Sequence, residues 1–335
     1  MRPLALSFYK KITNCNMSER EVLSHNKSGM RKMKNTAWSW LLIGILAAVA
    51  PALSSCSGDD NNDSTKNAAN ENANSTTLYP EYGRMEMPRI KDGSRIIIHK
   101  TDQFGINYIV EWDDGLRAQR WTCYRLDPDN SVKNGSRSGW WHGKDPFAED
   151  ELIPADYRTT LADYSQTTPH YDRGHICPSA DRLNSKEANQ QTYLLGNIQP
   201  QLNGFNTGVW LYMENKIHGN SYEGITAWNR SAFRDTLYIC KGGTIDNNNY
   251  TRSNTGLVIP KYFFAAILRI KNGQYNALGL WFEHKNDHST SLKAYACSID
   301  ELEKKTGIDF FCNLPDDRER VIEAAEPNDA LWGLE

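Results

Sequence analysis

Tyr171-Asp172-Arg173-Gly174-His175-Ile176-Cys177-Pro178-Ser179-Ala180-Asp181-Arg182 gathers carboxylate, guanidinium and imidazole side chains beside a glycine with a permissive backbone. These are the groups that move protons and hold anions. Downstream come Asn197 in Gly-Asn-Ile-Gln-Pro-Gln, Asn206 in Gly-Phe-Asn-Thr-Gly and Glu214 in Tyr-Met-Glu-Asn, with eight residues between the asparagines and seven between Asn206 and Glu214. A helix starting at Thr207 would set Asn206 at its N-cap, a position asparagine favours, and would place Glu214 and His218 on one face as an i, i+4 pair.

Around this centre the runs 95–100 (RIIIHK), 108–112 (YIVEW), 120–126 (RWTCYRL), 237–240, 257–270 and 275–283 are rich in β-branched or aromatic residues and bounded by Gly, Asp or Pro, which predicts strands. Pro260 interrupts the fifth run, and Lys271-Asn272-Gly273 predicts a hairpin to the sixth. Helices are expected over 185–194, 207–218 and 298–306, the last opening on Ser298-Ile299-Asp300-Glu301 with the spacing of a capping box. Strands and helices mix without βαβ alternation, so the fold class is α+β, a mixed and largely antiparallel central sheet flanked by helices.

Asp172-Arg173-Gly174-His175, followed by Asn197, Asn206 and Glu214 at these spacings, resembles the DNA/RNA non-specific endonucleases, the DRGH nucleases of the ββα-metal type. The likeness runs through most of residues 121–311. It implies a ββα-metal active-site motif in a metal-dependent, sugar-non-specific endonuclease that hydrolyses phosphodiester bonds in DNA and RNA. His175 falls on the family's general base and Asn206 on its direct metal ligand, the metal being Mg²⁺, with Mn²⁺ or another divalent cation as alternatives. Glu214 falls where the family's acid acts on the metal through water, Arg173 and Asn197 where phosphate and site geometry are supported, and Arg137 on a phosphate contact. Four residues after the Glu, where the family commonly has arginine, this chain has His218, a weaker and pH-dependent phosphate contact. That departure motivates a second expectation, a nucleic-acid-binding lipoprotein of the same fold with impaired turnover. The chemistry itself asks for a base, a Lewis acid and cationic clamps, because a phosphodiester repels nucleophiles and its alkoxide leaves poorly.

Of 335 residues, 39% are hydrophobic and 11% aromatic, enough for a sizeable core and against a wholly disordered chain. Basic Arg31, Lys32 and Lys34 precede an apolar stretch at 38–50 that ends at Leu53-Ser54-Ser55-Cys56. This reads as a leader and lipoprotein signal over 1–55, its true start at Met30, with Cys56 as the lipidation site. Residues 56–77 lack large apolar side chains apart from the lipidated Cys, and read as a disordered tether. The domain is then 78–335, exported and lipid-anchored at the outer membrane of a bacterial cell envelope, touching membrane only through the anchor. Residues 1–55 hold eight Lys/Arg and two Glu, so their removal takes the net charge from −3 to −9. Local positive charge is therefore required to hold a polyanion, and 115–145 supplies six bases against three acids, with Trp140 and Trp141 available for stacking. Five cysteines lie beyond Cys56, with Cys297 and Cys312 the expected bridge. His175 and Cys177 also invite a thiol or zinc hydrolase, although the chain has no Cys-x-x-Cys pair.

Overall fold

The computed structural model describes residues 70–289 and 291–334. The leader with its Met30 start, the lipidation site at Cys56 and tether residues 56–69 lie outside the described residues. Among the described residues no helix is long and apolar enough to cross a membrane.

The strands β1 (Arg95–Thr101), β2 (Gly105–Asp113) and β3 (Ala118–Leu126) form a meander, followed by α1 (Arg137–Trp141) and α2 (Leu161–Ser165). β4 (Asp172–His175) and β5 (Ile198–Gln201), with α3 (Lys186–Gln191) between them, pair with each other outside the main sheet. α4 (Asn203–Phe205), a π-type turn over Asn206–Trp210 and α5 (Leu211–His218) follow directly, the backbone leaving helical geometry at Gly208. After them come β6 (Thr236–Gly243), the small ladder of β7 (Tyr250–Arg252) and β8 (Val258–Pro260), and the hairpin of β9 (Tyr262–Lys271) and β10 (Gln274–Glu283). β11 (Ala296–Cys297), α6 (Ile299–Thr306), α7 (Asp316–Glu323) and α8 (Asp329–Trp332) complete the order. Seven strands make one antiparallel sheet, β1-β2-β3-β6-β9-β10-β11, so the α+β expectation holds. The β9–β10 turn has Asn272 and Gly273 both at positive φ, as a two-residue hairpin of this twist requires.

The sheet is apolar on both faces, and side-chain parity decides what packs where. On β9, Phe263, Ala265 and Ile267 meet Phe205, Trp210, Met213 and Ile217 of the helical segment, while Phe264, Ala266 and Leu268 meet Ile299, Leu302, Phe310 and Ile322 on the other side. Each fully buried side chain of this size contributes about 2 kcal/mol, so both layers are firmly held. β8 ends at Pro260 and β9 starts at Tyr262, which splits the predicted 257–270 run into two strands of different sheets. Ser298 caps α6 by accepting from the Glu301 backbone, but Glu301 pairs with Lys305 instead of completing the capping box.

Three expectations need correction. Asn70, Asn72 and Asn74, inside the supposed tether, bond Leu314 O, the Asp309 and Glu319 carboxylates, and Pro88 O, so backbone and amide groups order residues that have no apolar surface to bury. Cys297 and Cys312 are free, as are Cys123, Cys177 and Cys240, and all five are buried. The basic run 115–145 is not one patch. Arg120 is buried and bonded to Asp113 and Asp246, Arg117 is bonded to Asp163, and exposed Arg125 is paired with Asp127, which leaves Arg137, Lys133 and Lys144 as exposed bases with no carboxylate partner among the described residues.

Candidate active site

β4 presents Asp172, Arg173, Gly174 and His175 opposite Gln201, Pro200, Gln199 and Ile198 of β5, and the helical segment begins immediately after β5. Two strands and a helix thus frame the motif. Gly174 is required by close approach rather than by backbone angle: a Cβ there would lie 2.2 Å from Cδ of Gln201, whose side chain is wholly buried and cannot swing into solvent. Gly174→Ala is expected to destabilise the fold by about 1–3 kcal/mol through overpacking. A melting temperature equal to that of the unsubstituted chain would refute this.

Asn197, also wholly buried, accepts from Cys177 N at 2.8 Å and donates to Cys177 O and Thr192 O at 2.8 Å each. The two bonds to Cys177 fix the chain just beyond His175, the third ties it to the end of α3, and none reaches the cavity. Trp210 Nε1 donates to His175 O at 3.1 Å, tying β4 to the helical segment from the other side.

A cavity of about 760 Å³ opens over this hairpin, lined among others by Arg137, Phe147, Asp172, Arg173, His175 and Asn206. The His175 ring lies 5.3 Å from Phe147 and 4.8 Å from Tyr193, and its buried Nε2 has no hydrogen-bond partner among the described residues. Burial first, then the positive charges of Arg137, Lys241 and Arg173, push the imidazole down to about 3. It is therefore a neutral acceptor at pH 7. Arg173 lies over the Phe147 ring at 3.9 Å and donates to Asp145 at 2.9 Å; exposed Arg137, in the first turn of α1, lies 5.4 Å from the Tyr193 ring centre.

Asn206 is not the helix cap that the sequence suggests. Its backbone is helical and its N–H donates to Leu202 O at 2.9 Å, because the helical run already starts at Asn203. Its side-chain Nδ2 donates to Asp172 Oδ2 at 3.0 Å, an oxygen that also accepts from Asn203 Nδ2 at 2.9 Å. The amide is thereby oriented, and Asn206 Oδ1 accepts no bond among the described residues. A π-type turn starting at Asn206 is the kind of local irregularity that often marks functional positions. Asp172 stands in the motif read from sequence, yet its orienting role depends on a partner 34 residues away.

Glu214 and His218 share a face of α5 as expected, but it is the inner one, and neither lines the cavity. Glu214 accepts from Lys241 Nζ at 3.3 Å, and burial pushes its carboxyl up against the pull of Lys241 and His218. Lys241, wholly buried and 5.1 Å from the Trp210 ring centre, was not singled out from the sequence. His218 Nδ1 lies 3.4 Å from Asp181 Oδ1, an internal approach rather than a place in the cavity lining. Arg182, the second arginine of the opening stretch, is likewise internal, donating to the carbonyls of Asn107, Asp181 and Arg125.

The thiol and zinc readings do not fit this arrangement. Cys177 is buried, and burial pushes its thiol up to about 12. His284 and His288 do have the His-x-x-x-His spacing, which the sequence reading passed over, but His284 is committed through Nδ1 to Pro260 O and through Nε2 to Leu202 N. The donors that suit a hard divalent cation are the free amide oxygen of Asn206 and the adjoining carboxylate of Asp172. Elsewhere, Asp300, Glu303 and Glu323 bring carboxylate oxygens within 4.8 Å of one another, a candidate metal-binding triad.

The family model described as DNA/RNA non-specific endonuclease matches residues 88–317. This chain belongs to that family. It is 28% identical over 213 residues to Nuclease C1 of Cunninghamella echinulata, covering 62% of this chain and 81% of the relative. To a nuclease of Nostoc sp. it is 28% identical over 232 residues, covering 66% and 77%, and to mitochondrial endonuclease G of Homo sapiens 24% identical over 222 residues, covering 62% and 68%. The crystal structure of the EndoG/EndoGI complex shares the fold at a TM-score of 0.52 and 20% identity, covering 65% of this chain and 86% of that one. The expected lipid-anchored location at a bacterial outer membrane is overturned by these comparisons: the relatives whose names carry a compartment, endonuclease G of Homo sapiens and Bos taurus among them, are mitochondrial nucleases.

Proposed function

We propose that this chain is a divalent-metal-dependent endonuclease that cleaves phosphodiester bonds in DNA and RNA with little regard for sugar or sequence. The observation that carries the reading is the neutral, unpartnered Nε2 of His175 in the same cavity wall as Arg137, Arg173 and the free Oδ1 of Asn206.

In this reading Asn206 Oδ1 holds Mg²⁺ or Mn²⁺, with Asp172 orienting the amide. Bound there, the cation would neutralise phosphate charge and stabilise the departing 3′-oxygen. His175 Nε2 accepts the proton of the attacking water, which a charged imidazolium could not do. Arg137 and Arg173 hold the phosphate, and the aromatic surfaces of Phe147 and Tyr193 beneath them keep both guanidinium groups over the cavity. Asn197 keeps His175 in place through the backbone of Cys177. Glu214, buried behind the helical segment, acts on the metal only through water and on the site mainly by holding α5 to β6. Contacts of this kind address sugar and phosphate rather than base edges, which supports tolerance of both nucleic acids.

The test is cleavage of supercoiled plasmid and of single-stranded RNA by the full chain. Both substrates should be cut in Mg²⁺ and neither after EDTA, with activity restored by added metal. Cutting that survives EDTA would remove the metal from the reading. A folded chain that retains nucleic acid but cuts neither substrate in Mg²⁺ or Mn²⁺ would make it a binding protein.

A further inference from the structure

The described residues bury several carboxylates, and most have a basic partner. Glu86 pairs with Arg84, Glu111 with Arg120, Asp150 with His99, Asp181 with His218 and Glu214 with Lys241. The exceptions lie together on α7. Glu319 accepts only from the Asn72 amide, and Glu323, 6% exposed, has an Oε1 that is buried with no hydrogen-bond partner at all.

The Glu323 carboxylate has company of its own sign. Asp300 and Glu303, one turn apart on α6, bring their carboxylates within 4.8 Å of the Glu323 carboxylate. Glu303 is held in position because its Oε1 accepts from Phe310 N at 2.7 Å. Two of the nearby bases are engaged elsewhere, Lys305 with Glu301 and Arg89 with the carbonyls of Asn72 and Ala73, and no ion pair from a base to Asp300, Glu303 or Glu323 is present among the described residues. Three carboxylates this close repel strongly, and a single cation among them converts that repulsion into attraction. Two oxygens on opposite sides of a calcium ion, each about 2.4 Å from it, are about 4.8 Å apart. Oxygens that all lie within 4.8 Å of one another are close enough to share one such ion. Calcium accepts irregular oxygen sets, whereas magnesium demands a near-ideal octahedron and keeps its waters, so ligands from two helices favour calcium.

We propose that Asp300, Glu303 and Glu323 bind one divalent cation, Ca²⁺ in preference to Mg²⁺, which joins α6 to α7. Ile299, Leu302 and Ile322 of these helices pack on the sheet face opposite the one that carries Ile176, Cys177 and the helical segment, so this ion is separate from the metal of the His175 cavity. Its role is to tie down the C-terminal helices and, through Glu319 and Asn72, the stretch that precedes β1.

The experiment is thermal melting of the full chain, stripped of metal, with and without millimolar Ca²⁺, together with equilibrium dialysis to count bound Ca²⁺. Calcium should raise the melting temperature by roughly 5 °C in the unsubstituted chain and equally in Asn206→Ala. Glu323→Gln, which relieves the repulsion and should fold, should lose that shift and one bound ion per chain while cutting plasmid normally in Mg²⁺; Asp300→Asn should repeat the loss. Melting that is indifferent to Ca²⁺ overturns the proposal. So does a calcium shift that Asn206→Ala abolishes and Glu323→Gln keeps. A cluster held by shared protons would instead give calcium-independent melting and a chain that loses stability as pH rises, since raised folded-state carboxyl values mean more protons bound in the native state.

Discussion

His175→Ala should lower the rate of plasmid cleavage by about 10³-fold while leaving the melting temperature nearly unchanged. The kinetic loss follows from removing the imidazole whose buried Nε2 is unpartnered in the cavity wall. The small structural effect follows because the bond that anchors this position, from Trp210 Nε1, goes to the His175 backbone carbonyl and survives the substitution. The pH profile is the sharper check. Activity needs the neutral imidazole, and burial together with Arg137, Lys241 and Arg173 depresses its titration to about 3, so activity should persist as pH falls through the ordinary histidine range near 6.5. Any acid-side loss should come from groups with raised values, buried Glu214 first. An acid limb centred on 6.5 that disappears in His175→Ala's residual activity would sink the assignment of His175 as a buried base.

The site was legible in the sequence to the extent that local spacing fixes it. Asp172 to His175, Asn206 and Arg137 do come together around one cavity, and the strand-strand-helix frame is present. What the sequence concealed was orientation. Asn206 reads as a cap only if the helix starts at Thr207, but Asn203 to Phe205 already turn helically, and the Asn206 amide goes to Asp172. Glu214 and His218 at i, i+4 fix a shared face without saying whether that face is turned to substrate or to the sheet. The partners that settle it, Lys241 and Asp181, lie on distant segments. Lys241 carried a usable signal: in Leu237-Tyr238-Ile239-Cys240-Lys241 it has the parity of Leu237 and Ile239, the residues of the core face. Arg120 is buried for a local reason, since it sits at the register shift between β2 and β3 and turns in to Asp113 and Asp246, which is why counting charges along 115–145 overstated the basic surface. Composition failed at 70–77 for a different cause, since hydrogen bonds to a segment more than 230 residues away leave no local trace.

Lys241→Met should destabilise the fold by about 3–5 kcal/mol, lowering the melting temperature by roughly 10 °C. Lys241 is wholly buried, with Glu214 at 3.3 Å, so the substitution strands the Glu214 carboxylate in an apolar layer and leaves Asp181 to His218 and Tyr124. Methionine preserves most of the stem that packs on Trp210 and Tyr124, which makes lost charge rather than lost volume the cause. The double substitution Lys241→Met with Glu214→Leu removes the stranded carboxylate and should recover a large part of the stability. It should not recover activity, because Glu214 is then absent from behind the site. Recovery of both would reduce Glu214 to a partner for Lys241 and nothing more. Melting of Lys241→Met at the temperature of the unsubstituted chain would mean that the buried pair contributes no net stability, and that α5 is held to β6 by Trp210, Met213 and Ile217 alone.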